Sequence, residues 1–302
     1  MNPIIQTENL TKFYGRHPGI KDLNLEINQG EIFGFLGPNG AGKSTTIRII
    51  LHLLKPTDGR VLVFGKDIGK NYSSIFKKTG NLPGELKLYE HLSGMYFLDF
   101  MNSFFGRPPK WRKEMAEAFK LDENILHKKI KYYSHGMKQK LGIIQTLQHD
   151  PDLIIMDEPT EGLDPLNKVV LYDYLRRFKD QGKTIFFSSH DLSEVEKICD
   201  RVGLVHSGKL IALEHINDLK EKMVRRMEIY FKEKYNIDDF INSNIEIQDK
   251  RPDRLIITVT GDVNPVIKTL AKYDLKNLVF PEPSLEETFL QFYKNRDLKN
   301  DD

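Results

Sequence analysis

The stretch Gly37-Pro38-Asn39-Gly40-Ala41-Gly42-Lys43-Ser44-Thr45 constrains this chain more than any other. Before it runs Ile32-Phe33-Gly34-Phe35-Leu36, an unbroken apolar segment that reads as a buried parallel strand. After it runs Thr46-Ile47-Arg48-Ile49-Ile50-Leu51-His52-Leu53-Leu54, which reads as a helix. Strand, glycine-rich turn and helix are the setting of a phosphate-binding loop, and G-x-x-x-x-G-K-S is matched throughout. The glycines let the backbone fold tightly enough for successive N–H groups to point inward at an anion. The helix adds its own unpaired N–H groups and the positive end of its dipole. Lys43 is placed to reach the β- and γ-phosphates, and the Ser44 hydroxyl to ligate Mg²⁺. All of Gly37 to Thr45 is therefore assigned to nucleotide phosphate.

Two further apolar runs end in polar groups. Leu153-Ile154-Ile155-Met156 leads into Asp157-Glu158-Pro159-Thr160, a buried strand whose carboxyl end carries the charges. Ligands of open α/β sheets bind at that end. Asp157 is suited to hold Mg²⁺ through water, and Glu158 to polarise an attacking water. Thr184-Ile185-Phe186-Phe187-Ser188-Ser189-His190 repeats the pattern, and His190 is a candidate sensor of a γ-phosphate. A helix with Met137, Leu141, Ile144 and Leu147 on one face follows Ser134-His135-Gly136, with Ser134 as its N-cap. Ser134 and Gly136 at that helix start form a second candidate anion site. Tyr14, in Thr11-Lys12-Phe13-Tyr14-Gly15, either stacks on a purine or packs on its sheet.

Between these motifs, residues 4–36 alternate polar and apolar and suggest antiparallel strands. Pro56-Thr57-Asp58-Gly59 is a turn before the strand Arg60–Gly65, and residues 73–83 hold a short helix and a strand-like Thr79–Pro83. Residues 84–148 carry helical periodicity with Tyr89, Tyr96, Phe97, Phe100, Phe104 and Phe105, a break at Gly106–Pro109, and a charged helix from Lys110 to about Lys120. The aromatics read as a helical-subdomain core, or in part as a surface for a partner helix. Glu161–Pro165 turns into a helix over 166–180, residues 201–213 suggest a hairpin, and Asn217–Met223 a closing helix.

Composition narrows the function classes. Its 302 residues suit one large domain and a smaller one. Lys and Arg number 45 and Asp and Glu 43, so no electrostatic basis for nucleic-acid binding exists. No apolar run approaches the roughly 18 residues of a membrane span. The start, Met1-Asn2-Pro3-Ile4-Ile5-Gln6, lacks the basic-then-apolar order of a signal peptide. The single cysteine, Cys199, forbids an internal disulfide, fits a reducing compartment and reads as a packed small residue. A cytosolic protein is expected, with membrane docking through a partner left open.

In this order the motifs resemble those of the ATP-binding subunit of ABC transporters over roughly residues 3–222. Gly37–Thr45 resembles its Walker A motif and Leu153–Glu158 its Walker B motif with the catalytic glutamate. Ser134-His135-Gly136-Met137 corresponds to the signature usually written LSGGQ, Gly162-Leu163-Asp164 to the D-loop, and His190 to the switch histidine. The resemblance places Tyr14 at the adenine-stacking position. It implies a P-loop α/β core, mostly a parallel sheet with an antiparallel β subdomain and a helical subdomain at about 84–148. It also implies ATP hydrolysis with Mg²⁺ by a dimer, homo- or heteromeric. Each ATP would sit between one protomer's P-loop and the other's Ser134 and Gly136. The partner would be an integral membrane permease on a separate chain, with the ATPase peripheral on the inner face of the cell membrane. Two departures stand out. The signature lacks its first glycine and its glutamine, and the family's Mg²⁺-touching glutamine after Leu82-Pro83 is replaced by Gly84-Glu85, with Glu85 the candidate substitute ligand.

The tail, residues 223–302, is expected to be a small α+β domain. Arg226–Phe231 and Arg254–Val259 read as strands, residues 263–272 as a helix, Leu275–Phe280 as a strand and Leu285–Tyr293 as a last helix. Pro283–Leu290 is similar to the ending of ATPases paired with ABC-2 type permeases, often exporters. A soluble ABC-type ATPase acting on nucleic acid or ribosomes is the alternative. It would show a long coiled-coil insertion, two cassettes on one chain or a basic face, and the sequence has none of these. A module that only switches on ATP binding is the other, yet Lys43, Asp157, Glu158 and His190 are all present.

Overall fold

The computed structural model describes residues 3–221, 224–242 and 244–281. The order is β1 (Pro3–Tyr14), β2 (His17–Asn28), β3 (Ile32–Leu36), α1 (Lys43–Ile50), β4 (Asp58–Val63), β5 (Lys66–Asp67), α2 (Ile68–Phe76) and β6 (Thr79–Leu82). Next come α3 (Gly94–Ser103), α4 (Arg112–Ala118), α5 (Glu123–Leu126) and α6 (His135–Leu147). The first unit, Met1–Glu214, is completed by β7 (Leu153–Asp157), α7 (Pro165–Asp180), β8 (Thr184–Ser189), α8 (Leu192–Ile198), β9 (Arg201–His206) and most of β10 (Lys209–His215). The second unit, from His215, holds α9 (Ile216–Glu221), β11 (Val224–Phe231), β12 (Ile245–Arg251), β13 (Arg254–Thr260), α10 (Asn264–Leu270) and β14 (Leu275–Val279).

Two sheets make the first unit. One has the order β2-β1-β4-β5, and its pairs are antiparallel. The other has the order β10-β9-β3-β8-β7-β6, in which β9, β3, β8, β7 and β6 pair in parallel. β3, β7 and β8 are buried along their whole length, as apolar runs covered on both faces must be. β2 alternates instead, burying Leu23, Leu25 and Ile27 and exposing the residues between. The sheets share a core of Phe33, Phe35, Ile155 and Phe186 with Leu23, Leu25 and Val63, closed by Ile47, Ile49 and Ile50 of α1.

α1 ends at Ile50, four residues before the expected helix does. His52 takes φ +57, its N–H bonds Ile49 O at 2.9 Å, and Leu53 N–H bonds Arg48 O at 2.8 Å. This double bond pattern is a Schellman stop with histidine where glycine is usual, so periodicity alone overruns it.

Three of the helices α3–α6 start on N-cap side chains. Ser93 accepts from Tyr96 N–H, Asp122 from Ile125 N–H and Ser134 from Met137 N–H. Phe97, Phe105, Trp111, Met115 and Phe119 are buried, whereas Tyr89, Tyr96, Phe100 and Phe104 are exposed. The aromatic set therefore divides into a core and a surface group. Cys199 caps α8 at its C-terminus, buried with its thiol pushed well up by that burial and its Sγ against Gly34. It is a packed residue. No helix among the described residues is long and apolar enough to cross a membrane.

In the second unit the order is β12-β13-β11-β14, all antiparallel. Met227, Ile229 and Phe231 face Leu255, Ile257 and Val259 in a core with Phe240, Val266 and Leu270. β12 is the strand that sequence reading misses. It is an edge strand, Ile-Glu-Ile-Gln-Asp-Lys-Arg, with no fully buried position, so its apolar signal stops after Ile247. The expected helix Leu285–Tyr293 and the Pro283–Leu290 ending lie outside the described residues.

Candidate functional site

The turn between β3 and α1 is built so that no side chain but glycine fits at its ends. A Cβ on Gly37 would lie 2.2 Å from Val205 O, and one on Gly42 2.7 Å from Gly19 O, with Gly42 at φ +105. Gly42 caps α1 without a side chain, and the first turn of α1 holds no acidic residue. The opening N–H groups of α1 have no intrahelical acceptor. They face a cleft of about 300 Å³ lined by Pro38, Asn39, Gly40, Gly42, Lys43, Ser44, Thr45, Gly19, Tyr14 and Glu158. Ala41 is buried below it, its N–H bonding Pro38 O at 3.2 Å. Tyr14, half-exposed at the end of β1, stands on the rim with its hydroxyl 3.4 Å from Thr45 Oγ1 and its ring against Gly19.

Lys43 is buried and donates to Gly37 O at 2.6 Å and Pro38 O at 3.2 Å. Its Nζ also lies 3.2 Å from Glu158 Oε1. Glu158 Oε2 is in turn 2.9 Å from His190 Nδ1. One line of polar contacts thus runs from the turn lysine through the carboxylate to the imidazole. Glu158 adopts φ +49, costly for a residue with a side chain. Its N–H is held by Ser188 Oγ at 3.0 Å and Ser188 O at 3.3 Å. Asp157, buried, accepts from the same Ser188 hydroxyl at 2.6 Å.

Ser188 is the residue that sequence reading passed over. A signal was present: two consecutive serines close a strand that is otherwise apolar, and buried hydroxyls need partners. Gly19, in β2, is a second omission, visible only once the chain is folded.

Not every assigned residue reaches the cleft. Glu85 is exposed, its carboxylate 3.8 Å from Lys87 Nζ, and it does not line the site. The position facing Asp157 is Gly84, where a Cβ would lie 3.2 Å from Asp157 Oδ2. The metal-ligand role expected of Glu85 thus finds no geometric support, because the chain turns it outward. Ser134 and Gly136 also stand apart from the cleft. Gly136 and the neighbouring His135 lie against the turn after β7: a Cβ on Gly136 would be 3.0 Å from Gly162 O, and one on Gly162, at φ +75, 2.3 Å from His135 Cδ2. Asp164 closes that turn by capping α7, accepting from Asn167 N–H at 2.9 Å, and these Asn167 bonds hold its carboxyl below the usual range.

Comparison with known proteins agrees with this geometry. The family profile described as ABC transporter matches residues 20–161. An uncharacterized ABC transporter ATP-binding protein, YhcH of Bacillus subtilis, is 41% identical over 220 residues, 72% of each chain. The bacitracin transport ATP-binding protein BcrA of Bacillus licheniformis is 34% identical over 299 residues, covering 96% of this chain and 97% of that one. A solved dimeric bacterial ABC transporter cassette, MJ0796, superposes with a TM-score of 0.65 at 25% identity, over 70% of this chain and 98% of that one.

Proposed function

Because this chain belongs to the ABC transporter family as an ATP-binding subunit and ATPase, we propose that it powers export through a separate membrane permease. The dimeric MJ0796 cassette supports action as a dimer, and the likeness to the transport subunit BcrA supports a membrane partner. The observation that carries the reading is the line Lys43–Glu158–His190, with separations of 3.2 and 2.9 Å at the mouth of the phosphate cleft. The likeness to a bacitracin transport subunit along nearly the whole chain supports export.

In this reading the amides of Asn39, Gly40 and Gly42 to Thr45 and the Lys43 ammonium hold the phosphates, and Tyr14 stacks on the adenine. A bound Mg²⁺ supplies charge neutralisation across the β- and γ-phosphates. The Ser44 hydroxyl and Asp157 carboxylate are hard oxygen donors that fit it, as few protein ligands are needed beside phosphate and water. No cluster of three or more His, Cys, Asp or Glu side chains suited to a metal exists among the described residues. Glu158 takes the proton of the attacking water as its oxygen bonds the γ-phosphorus and the bond to the bridging oxygen breaks, releasing ADP and phosphate. His190 keeps the carboxylate turned toward that water. Ser134 and Gly136 of one protomer close over the nucleotide of the other.

We propose residues 1–222, the first unit taken on through α9, as the ATPase domain and 223–302, the rest of the second unit, as an accessory domain. Tyr89, Phe100 and Phe104, exposed and edge-on at 6.0 and 5.2 Å, form the face assigned to a permease helix at the inner side of the membrane. The test is Glu158→Gln. Turnover falls by about 100-fold or more, as expected for loss of a general base, while ATP binding persists. Tagged Glu158→Gln protein held in ATP before detergent extraction brings down one polytopic membrane protein by mass spectrometry. Unchanged turnover refutes the assignment of Glu158, and recovery of ribosomes or nucleic acid without a membrane protein refutes the transporter role.

A further inference from the structure

Glu194 in the first turn of α8 is buried, yet it takes no direct part in the phosphate cleft. One of its oxygens, Oε2, accepts from Thr160 Oγ1 at 2.8 Å and from Ser189 Oγ at 3.0 Å. The other, Oε1, pairs with Lys168 Nζ of α7 at 2.7 Å. Thr160 is two residues beyond Glu158, and Ser189 immediately precedes His190. Thr160 and Ser189 are themselves buried, and the Ser189 hydroxyl accepts from Asp191 N–H at 2.9 Å while its proton has Glu194 Oε2 at 3.0 Å as the nearer acceptor and Asp191 O at 3.4 Å as the farther. The Tyr172 phenol lies beside the same carboxylate, its pKa raised by burial and then by the Glu194 charge.

We propose that Glu194 is a positioning residue for hydrolysis: one buried oxygen ties together the two strand ends that carry Glu158 and His190. An acid in a helix first turn interacts favourably with the dipole while still exposed, so the dipole alone does not require its burial. Burying a carboxylate is costly unless its oxygens are satisfied; Lys168 of α7 satisfies Oε1, and the two hydroxyls on Oε2 come from just beyond β7 and from the end of β8. Holding Thr160 and Ser189 on one atom fixes the separation of the two segments. That separation sets whether the Glu158–His190 bond forms. Ser188 bonds Asp157 and Glu158 directly, and Glu194 bonds Thr160 and Ser189 in the same two segments.

The inference rests on the roles proposed above for Glu158 and His190. It is tested on the full chain with Mg-ATP, measuring kcat per nucleotide-binding site titrated with a fluorescent ATP analogue, KM, and Tm from Trp111 fluorescence. Glu194→Gln lowers kcat per site by about 10- to 100-fold, the scale of a small misplacement of reacting groups, with KM within about threefold of the parent. Thr160→Val with Ser189→Ala, which removes the hydroxyls and leaves the Lys168 pair, gives the same loss, and adding Glu194→Gln to that pair costs nothing further. This pair keeps the test decisive if Glu194→Gln does not fold. A kcat per site within about twofold of the parent in either variant overturns the inference, as does a loss that appears only as a rise in KM. Glu158→Gln is run beside them: if it turns over ATP at the parent rate, the site reading fails and the inference with it. If it is inactive while Glu194→Gln and the Thr160–Ser189 pair are not, the inference alone fails.

Discussion

His149 gives the chain a pH sensitivity whose size follows from its surroundings. It lies just past α6, fully buried, with its ring stacked on Phe105 at a centroid distance of 3.5 Å and an interplanar angle of 10°. Neither ring nitrogen has a hydrogen-bond partner among the described residues. Burial, and then the nearby Arg107 charge, push its pKa down to about 4, against the opposing pull of the Thr79 backbone and then of Asp150. In the unfolded chain the same group titrates near 6.5. Above that value both states are neutral and His149 is without effect on the balance. As pH falls below it, the unfolded chain takes up a proton that the folded chain refuses, so stability drops by about 1.4 kcal/mol per pH unit. The loss levels off near the folded pKa of about 4. From about pH 7 to about pH 5 the expected loss is about 2 kcal/mol, or about 4–8 °C in Tm for a unit of this size.

Trp111 reports this region selectively. It is the only tryptophan of the chain, is buried, and its Nε1 donates to Asp150 Oδ1 at 3.0 Å, one residue from His149. Thermal unfolding followed by its fluorescence is compared for the parent and for His149→Phe, which keeps a flat ring against Phe105. The other titrating groups are common to both proteins and cancel in the difference. The parent loses the stated amount more than the variant between the two pH values. Equal losses in both refute the assignment, because no other change between them removes a titrating site.

Two more outcomes bear on the backbone of the site. Gly37→Ala places a Cβ 2.2 Å from Val205 O, a backbone atom with no room to retreat. It is expected to cost roughly 1–3 kcal/mol and to abolish ATP-analogue binding, and a variant that binds with unchanged Tm refutes the packing at this turn. Gly162→Ala meets both the His135 ring at 2.3 Å and an unfavourable φ of +75. Pairing it with His135→Gly relieves the clash but not the backbone strain, so the double variant recovers part of the lost Tm, and no recovery at all shows that the ring does not occupy that space.

What could be read from the sequence follows from where each residue's partners lie. The phosphate loop is legible because its requirements are contiguous: Gly37, Gly42, Lys43 and Ser44 act within one turn and one helix start. The three strand ends that meet it are legible as apolar runs closing on polar groups. Glu85 misleads because spacing names a neighbour without giving its direction. A single turn sends Glu85 to Lys87 and leaves Gly84 beside Asp157. Ser188 and Glu194 lie beyond such reading because their partners are distant in the chain: Ser188 bonds Asp157, 31 positions away, and Glu194 bonds Thr160, 34 away. The unfavourable φ of Glu158 shows why those distant bonds matter. A residue with a side chain persists there only where its surroundings over-determine it. The Glu158 N–H bonded to Ser188 Oγ and O, and its carboxylate bonded to His190, supply that constraint and aim the carboxylate. The local sequence of Glu158 selects the chemical group, and the neighbouring strand β8 selects its direction.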